Sequence, residues 1–109
     1  MSNNDYSLAA ARPAVLRPYI ADEAIKPRDA ASYAGVHPGT LGAWARRHHI
    51  GRCISGNMMI SRVALQAFLE DETEILAAYL SGDRESPEIR GLYARLGIEL
   101  PTAQFIAAE

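Results

Sequence analysis

IKPRDAASYAGVHPGTLGAWARRHHIGRCISGNMMISRVALQAFLED, residues 25–71, contains two short helical patterns separated by a tight turn. Pro27 and Pro38 each suit the first position of a helix, where the missing N–H group would have no intrahelical partner anyway. The apolar residues that follow Pro38 repeat at the spacing of one helical face. The pattern therefore predicts helices over 27–34 and 38–48.

The remainder of this stretch predicts a hairpin and a third helix. Ser-Gly-Asn at 55–57 is rich in turn-forming residues and separates two short runs that contain apolar residues. Ser61 is a good N-cap for a helix whose apolar residues lie mostly on one stripe. That helix either continues to Leu80 or breaks near Asp71 and Glu72.

Small and apolar residues in this stretch occupy the places of a known motif. They are Ile25, Ala30-Ala31, Tyr33-Ala34, Gly35-Val36, His37, Thr40 and Leu41. In this arrangement the chain resembles the helix-turn-helix of the excisionase-like and MerR-like winged-helix family. Residues 51–69 look like the wing hairpin of that family followed by its Ser-Arg helix start. The resemblance covers 47 of the 109 residues.

The resemblance implies a mainly α fold with a small β-hairpin wing, that is, a winged helix-turn-helix with a C-terminal helical extension. Residues 1–24 form a leader, which we expect to be flexible or extended up to about residue 17. Residues 25–71 form the DNA-binding domain. Residues 72–109 form an acidic helical extension, in which Ser86-Pro87 marks a helix start.

The extension carries an apolar stripe that is larger than a small winged domain needs to close its own core. Its members are Leu76, Tyr79, Leu80, Ile89, Leu92, Tyr93 and Leu96. Large exposed apolar patches are uncommon on soluble monomers, so this stripe has to be covered. Two alternatives follow, a homodimer in which two copies pair and a chain that folds back on its own domain.

The net charge of −2 hides an uneven distribution. Residues 26–62 hold six Lys or Arg against one acid, a net charge of +5, whereas residues 63–109 sum to −6. A pI of 5.9 argues against a protein that coats nucleic acid over its whole surface, but it allows one basic face. The basic block coincides with the predicted helix-turn-helix, and this indicates double-stranded DNA as the partner.

The remaining composition excludes several classes of protein. The single Cys53 cannot form an internal disulfide, and no apolar run approaches 18 residues, so we expect a cytoplasmic protein with no membrane partner. His48 and His49 are adjacent and diverge on a helix, so no metal site is predicted. No phosphate loop or serine elbow is present, so we expect neither an enzyme nor a cofactor.

A helix across the turn can enter the major groove with its N-terminal residues toward the base edges. His37 and Thr40 are the plausible base readers there, and Arg46 and Arg47 can pair with phosphates. The full predicted DNA-binding set is Arg28, His37, Pro38, Gly39, Thr40, Ala43, Arg46, Arg47, Arg52 and Asn57. Trp44 and Phe68 are interpreted as core residues. Gly42 costs about 1 kcal/mol in a helix relative to Ala, which favours a steric reason for its presence.

The function that we predict is sequence-preferring DNA binding by a transcriptional regulator. Small excisionase-like proteins tend to be basic throughout, and the acidic extension favours a regulator over them. A recombination directionality factor (excisionase) remains an alternative, as does a phage packaging subunit that uses the same fold. A protein-interaction adaptor that binds a partner helix through the segments after Val63 is the alternative from another class.

Overall fold

The computed structural model of the chain describes residues 13–101. The elements in this range, in chain order, are a 3-10 helix Ala21–Glu23, β1 Ala24–Ile25, α1 Pro27–Ala34, α2 Pro38–His48, β2 Gly51–Ile54, β3 Asn57–Ser61, α3 Arg62–Leu69, α4 Thr73–Leu80 and α5 Pro87–Arg95. The described part therefore combines five α-helices with one three-stranded antiparallel sheet, in the order β1-β3-β2. The prediction of helices with a hairpin is confirmed at this level.

The first two helices have the predicted bounds. α1 begins at Pro27 and ends at Ala34, and the next residue, Gly35, has a φ of 75° that glycine readily adopts. α2 begins at Pro38 and ends at His48, and the next residue, His49, adopts a left-handed conformation with φ 59°. His37 serves as the N-cap of α2, since its side chain accepts a hydrogen bond from the Gly39 N–H group.

The hairpin is tighter than predicted and is part of a larger sheet. Ile54 faces Asn57 across a two-residue turn, in which Ser55 and Gly56 have φ of 54° and 84°. Positive φ values at both central residues are typical of a type I′ turn, whose twist matches that of the two flanking strands. Strand β1, which the sequence analysis did not predict, pairs with β3, so that Ile25 faces Ile60. As a result β3 is the central strand.

The segment after the hairpin consists of three separate helices. Ser61 caps α3 by accepting a hydrogen bond from the Ala64 N–H group at 3.0 Å, as predicted. Of the two alternatives for this helix, the break is observed: α3 ends at Leu69, and Asp71 has a φ of 60°. Ser86 caps α5 in the same way, through the Ile89 N–H group at 3.4 Å.

One hydrophobic core joins all parts of the described chain. Buried residues before residue 24 and after residue 71 belong to the same cluster as those of the hairpin and its helices. Val15 and Leu16 are 2% and 0% exposed, so the prediction of a flexible or extended leader does not hold for them. Residues 1–12 of that leader lie outside the described residues.

The C-terminal apolar stripe is covered within a single chain. Its largest members are buried in the core, namely Tyr79, Ile89, Leu92 and Tyr93. Leu76, Leu80 and Leu96 are partly buried and pack against that core. Of the two alternatives for the stripe, the structure has the chain folded back on itself, so this stripe gives no support to a homodimer.

Trp44 and Phe68 lie at the edge of the core rather than inside it. Both are half-buried, and their ring centroids are 4.9 Å apart. His48 adds a third ring, 4.6 Å from Phe68. The prediction that both residues are structural agrees with this packing, but full burial is not observed.

A buried carboxylate connects the N-terminal segment with the last two helices. Glu23 is completely buried and accepts hydrogen bonds from Ser61 Oγ at 2.6 Å, from Tyr93 Oη at 2.9 Å and from Tyr79 Oη. Tyr79 Oη in turn accepts the Leu16 N–H group at 2.9 Å. Burial and the Glu23 carboxylate raise the pKa of Tyr79 well above its usual range, so its hydroxyl remains a donor.

Candidate nucleic-acid interface

The first turn of α2 is exposed on one side and anchored on the other. Leu41 and Ala45 are 0% and 3% exposed and hold the inner face of the helix in the core. The predicted contact residues His37, Pro38, Gly39 and Thr40 are all exposed, and Ala43 is half-buried. The outer face of the first turn of α2 is thus formed of short side chains, which would allow the backbone there to approach a groove closely.

His37 combines capping with an outward hydrogen-bond donor. Its Nδ1 atom accepts the Gly39 N–H group at 2.9 Å, so in the neutral ring the proton is on Nε2. Nε2 can then donate to an acceptor on a base edge, such as the N7 or O6 atom of guanine. The exposed Thr40 hydroxyl adds a second group that can donate or accept.

Arg46 and Arg47 are exposed in the last turn of α2. Arg46 Nη1 would be 3.7 Å from a Cβ atom placed on Gly42, one turn earlier, which is an ordinary van der Waals distance. The described chain therefore has room for an alanine at Gly42, and the predicted steric reason is not found within it. A partner that approached Gly42 closely from outside the chain would explain why this position has no side chain.

An open cleft of about 680 Å³ separates the start of α1 from strand β3. Arg28 and Asn57, two predicted contact residues that are far apart in sequence, line it together with Lys26. Lys26 was not in the predicted set, although its charge belongs to the basic block. Asp29 also lines this cleft and reduces its positive charge.

Arg52 has a structural role that the sequence analysis missed. Its Nε and Nη2 atoms donate hydrogen bonds to the carbonyl oxygens of Val15 and Leu16, both at 2.9 Å. The side chain is half-buried and lines a different cleft from Asn57. Arg52 thus joins the hairpin to the N-terminal segment, a role that its place in the predicted contact set did not include.

Cations in the two halves of the described chain differ in how they are paired. Lys26, Arg28, Arg46 and Arg47 are exposed and take part in neither of the two ion pairs between residues 13 and 101. The cations of the acidic half are all engaged. Arg95 pairs with Glu70 at 3.0 Å and holds the pKa of that carboxyl below its usual value.

The other two cations of the acidic half are engaged as well. Arg90 lies 3.7 Å from Glu85. The buried Arg84 donates to the backbone oxygens of Ala14, Tyr79 and Asp83. Among the described residues, the positive charge that is available to an external anion therefore lies at the start of α1, at the end of α2 and at the exposed Arg17.

Comparisons with protein-family models, with curated proteins and with solved structures find no match to this chain. The resemblance to the winged-helix family therefore remains a prediction. None of the helices between residues 13 and 101 is long and apolar enough to cross a membrane. Within the same range, no three His, Cys, Asp or Glu side chains come together as a metal site would require.

Proposed function

We propose that this protein is a winged helix-turn-helix protein that binds double-stranded DNA. The observation that carries the proposal is the group of exposed cations without ion-pair partners in the described chain, on the elements next to and including α2. Phosphate contacts supply most of the sequence-independent affinity of a protein for DNA. Cations that already have partners contribute less, and the acidic half of the described chain holds Arg90 and Arg95 in ion pairs and Arg84 in hydrogen bonds to backbone oxygens.

In this proposal α2 enters the major groove. A helix with its side chains is about 10–12 Å across, and the groove of B-DNA is about 12 Å wide. The exposed first turn would face the base edges, where His37 Nε2 and the Thr40 hydroxyl are the groups available for direct readout. Two such groups give modest base specificity, so the shape of the duplex would contribute as well.

The hairpin and the start of α1 would contact the duplex next to that groove. Lys26, Arg28 and Asn57 line one open cleft, so a single stretch of sugar-phosphate backbone could reach all three. Contacts of this kind fix the position of a protein on DNA and carry no base information themselves. The hairpin would thus orient α2, with Asn57 as its contact at the tip.

Transcriptional regulation is the cellular role that we propose for this DNA binding, because the acidic half distinguishes the chain from small basic excisionases. A recombination directionality factor bends its DNA for an integrase, and a packaging subunit forms ring-sized assemblies. A DNA-bending assay and sedimentation would therefore separate the three roles. The C-terminal apolar stripe was consistent with the adaptor alternative, and this support is weakened because the stripe is largely covered within the chain.

The test is the salt dependence of DNA affinity in the full chain. Each phosphate contact contributes about 0.9 to the slope of log K against log salt concentration. We expect Arg46→Gln with Arg47→Gln to lower that slope by roughly 2 and to leave the melting temperature nearly unchanged, because exposed charges contribute little to stability. Arg90→Gln, an exposed cation of the acidic half, is the matched control and should keep the wild-type slope.

Two results would contradict the proposal. One is a wild-type chain whose affinity for duplex DNA is absent or independent of salt. The other is a double variant at Arg46 and Arg47 with the wild-type slope, which would exclude the end of α2 from the DNA contact.

A further inference from the structure

A second cleft, of about 290 Å³, lies between the N-terminal segment and strand β2. Its polar walls are Arg17, His49 and Arg52, and none of the described residues that line it is acidic. Arg17 comes from the N-terminal segment, whereas His49 and Arg52 flank the junction of α2 and β2. The cleft is outside the α1–β3 cleft described above, and neither Arg17 nor His49 belongs to the predicted contact set.

Hydrogen bonds hold one wall of this cleft in place, formed by Arg52 and the backbone of Val15 and Leu16. Arg52 donates to the Val15 and Leu16 carbonyl oxygens, and both of these residues are buried. The Leu16 N–H group is also fixed, through its hydrogen bond to Tyr79 Oη. Arg17 directly follows Leu16. The backbone before Arg17 is therefore fixed, while its side chain is exposed to solvent.

The size and charge of the cleft indicate one anionic group as its ligand. Its volume is at the lower end of the range for small-molecule sites, which favours a single phosphate over a larger organic cofactor. A guanidinium group matches phosphate geometry through paired N–H donors. Arg17 can supply such a pair. Arg52, whose Nε and Nη2 atoms already donate to carbonyl oxygens, and the His49 imidazole add positive potential and further donors in an open space without carboxylates.

We infer that this cleft binds a backbone phosphate of the DNA beyond the contacts of α2. The inference rests on the proposed DNA binding. His49 directly follows the last residue of α2, and Arg46 and Arg47 lie in the last turn of that helix. The cleft therefore continues the basic surface of α2 onto the N-terminal segment, and the chain would follow the phosphate backbone further than a helix-turn-helix alone.

Arg17→Gln in the full chain tests the inference, because Arg17 makes no side-chain hydrogen bond or ion pair within residues 13–101 and its loss should not affect folding. The probe is a random-sequence duplex of roughly 20 base pairs, about two helical turns. We expect the slope of log K against log salt to fall by about 0.9. Arg90→Gln should again keep the wild-type slope.

Titration with inorganic phosphate distinguishes the cleft from the DNA contact as a whole. We expect the backbone amide signals of Gly51 and Cys53 to shift in NMR spectra of the wild type and to stay in place in Arg17→Gln. A wild-type slope in Arg17→Gln, together with a reduced slope in the Arg46 and Arg47 variant, would overturn the cleft and retain DNA binding. Phosphate-induced shifts in a chain without DNA affinity would instead overturn DNA as the source of the phosphate.

Discussion

At the scale of single residues, His37 has two functions that substitutions can separate. Its Nδ1 atom caps α2, and its Nε2 atom is the proposed reader of a base edge. We expect His37→Asn to keep the melting temperature, because asparagine is among the best N-cap residues, while the preferred DNA sequence changes. His37→Ala should lose about 0.5–2 kcal/mol of stability as well.

Thermal melting and selection from a random oligonucleotide pool would measure the two effects. Asn is the control for capping and Ala is the control for loss of both functions. An unchanged selected sequence in His37→Asn would remove His37 from base readout.

Gly42 is a residue at which stability and DNA contact are expected to conflict. An alanine there would meet only Arg46, at an ordinary distance, and should stabilise α2 by about 1 kcal/mol. If α2 lies in the groove, the added methyl group reduces DNA affinity. Gly91, exposed inside α5 with nothing within 4 Å of an added Cβ, is the matched control.

We therefore expect Gly42→Ala and Gly91→Ala both to raise the melting temperature, and Gly42→Ala alone to weaken DNA binding in a titration. Equal DNA affinity in the two variants would mean that the backbone at Gly42 does not approach the duplex.

At the scale of elements, local signals in the sequence were sufficient for the helices. Pro27, Pro38 and Ser86 mark starts that the structure confirms, because the capping and first-turn preferences of these residues are local. Strand β1 could not be predicted in this way. It has two residues, Ala24 and Ile25, and exists only through its pairing with β3, about 35 residues later.

The same limit explains what was missed at the candidate site. The structural role of Arg52 could not be predicted, since its charge is visible in the sequence and its partners are not. Those partners are backbone oxygens of Val15 and Leu16, in a segment that was interpreted as a leader. Glu23 was missed for a similar reason, because its three hydroxyl donors come from β3, α4 and α5.

The packing of α4 and α5 against the core should be lost at alkaline pH. Burial raises the pKa of Tyr93 as well as that of Tyr79, with the Glu23 carboxylate as a further cause. A tyrosine in the unfolded chain ionises near pH 10, so the stability from these two groups is complete below about pH 10 and is lost as the pH rises further. We expect Tyr79 and Tyr93 to ionise only as the chain unfolds.

Phenolate absorbance and circular dichroism, followed together during an alkaline titration, would measure this coupling. Tyr33→Phe, at an exposed tyrosine, is the control and should leave the late ionisation step unchanged. Ionisation of all five tyrosines before any loss of helical signal would contradict the buried network.

At the scale of the whole molecule, the described chain behaves as one packing unit, although its charge is divided into a basic and an acidic part. The acidic part supplies buried residues of the common core, including Tyr79, Ile89 and Tyr93. It also supplies two of the three hydroxyl donors of Glu23. The basic half thus depends on the acidic half for its folding.

Truncation after Asp71 tests this dependence. It removes several large buried side chains, and the loss of one such side chain typically lowers the free energy of unfolding by roughly 2–5 kcal/mol. The total free energy of unfolding of a typical domain is only about 5–15 kcal/mol. It also leaves the Glu23 carboxylate without two donors, which adds a further cost. We therefore expect the truncated chain to lose its cooperative thermal transition and its DNA affinity together.

The oligomeric state of the full chain gives the complementary result. Because the apolar stripe is covered within one copy, we expect sedimentation to show a monomer at tens of micromolar. A full-length dimer that becomes a folded, DNA-binding monomer on truncation would contradict both expectations, since it would make residues 72–109 an independent dimerisation element. A monomeric full-length chain whose truncated form is unfolded would instead support a single core. In that case the C-terminal helices stabilise the fold of the proposed DNA-binding face.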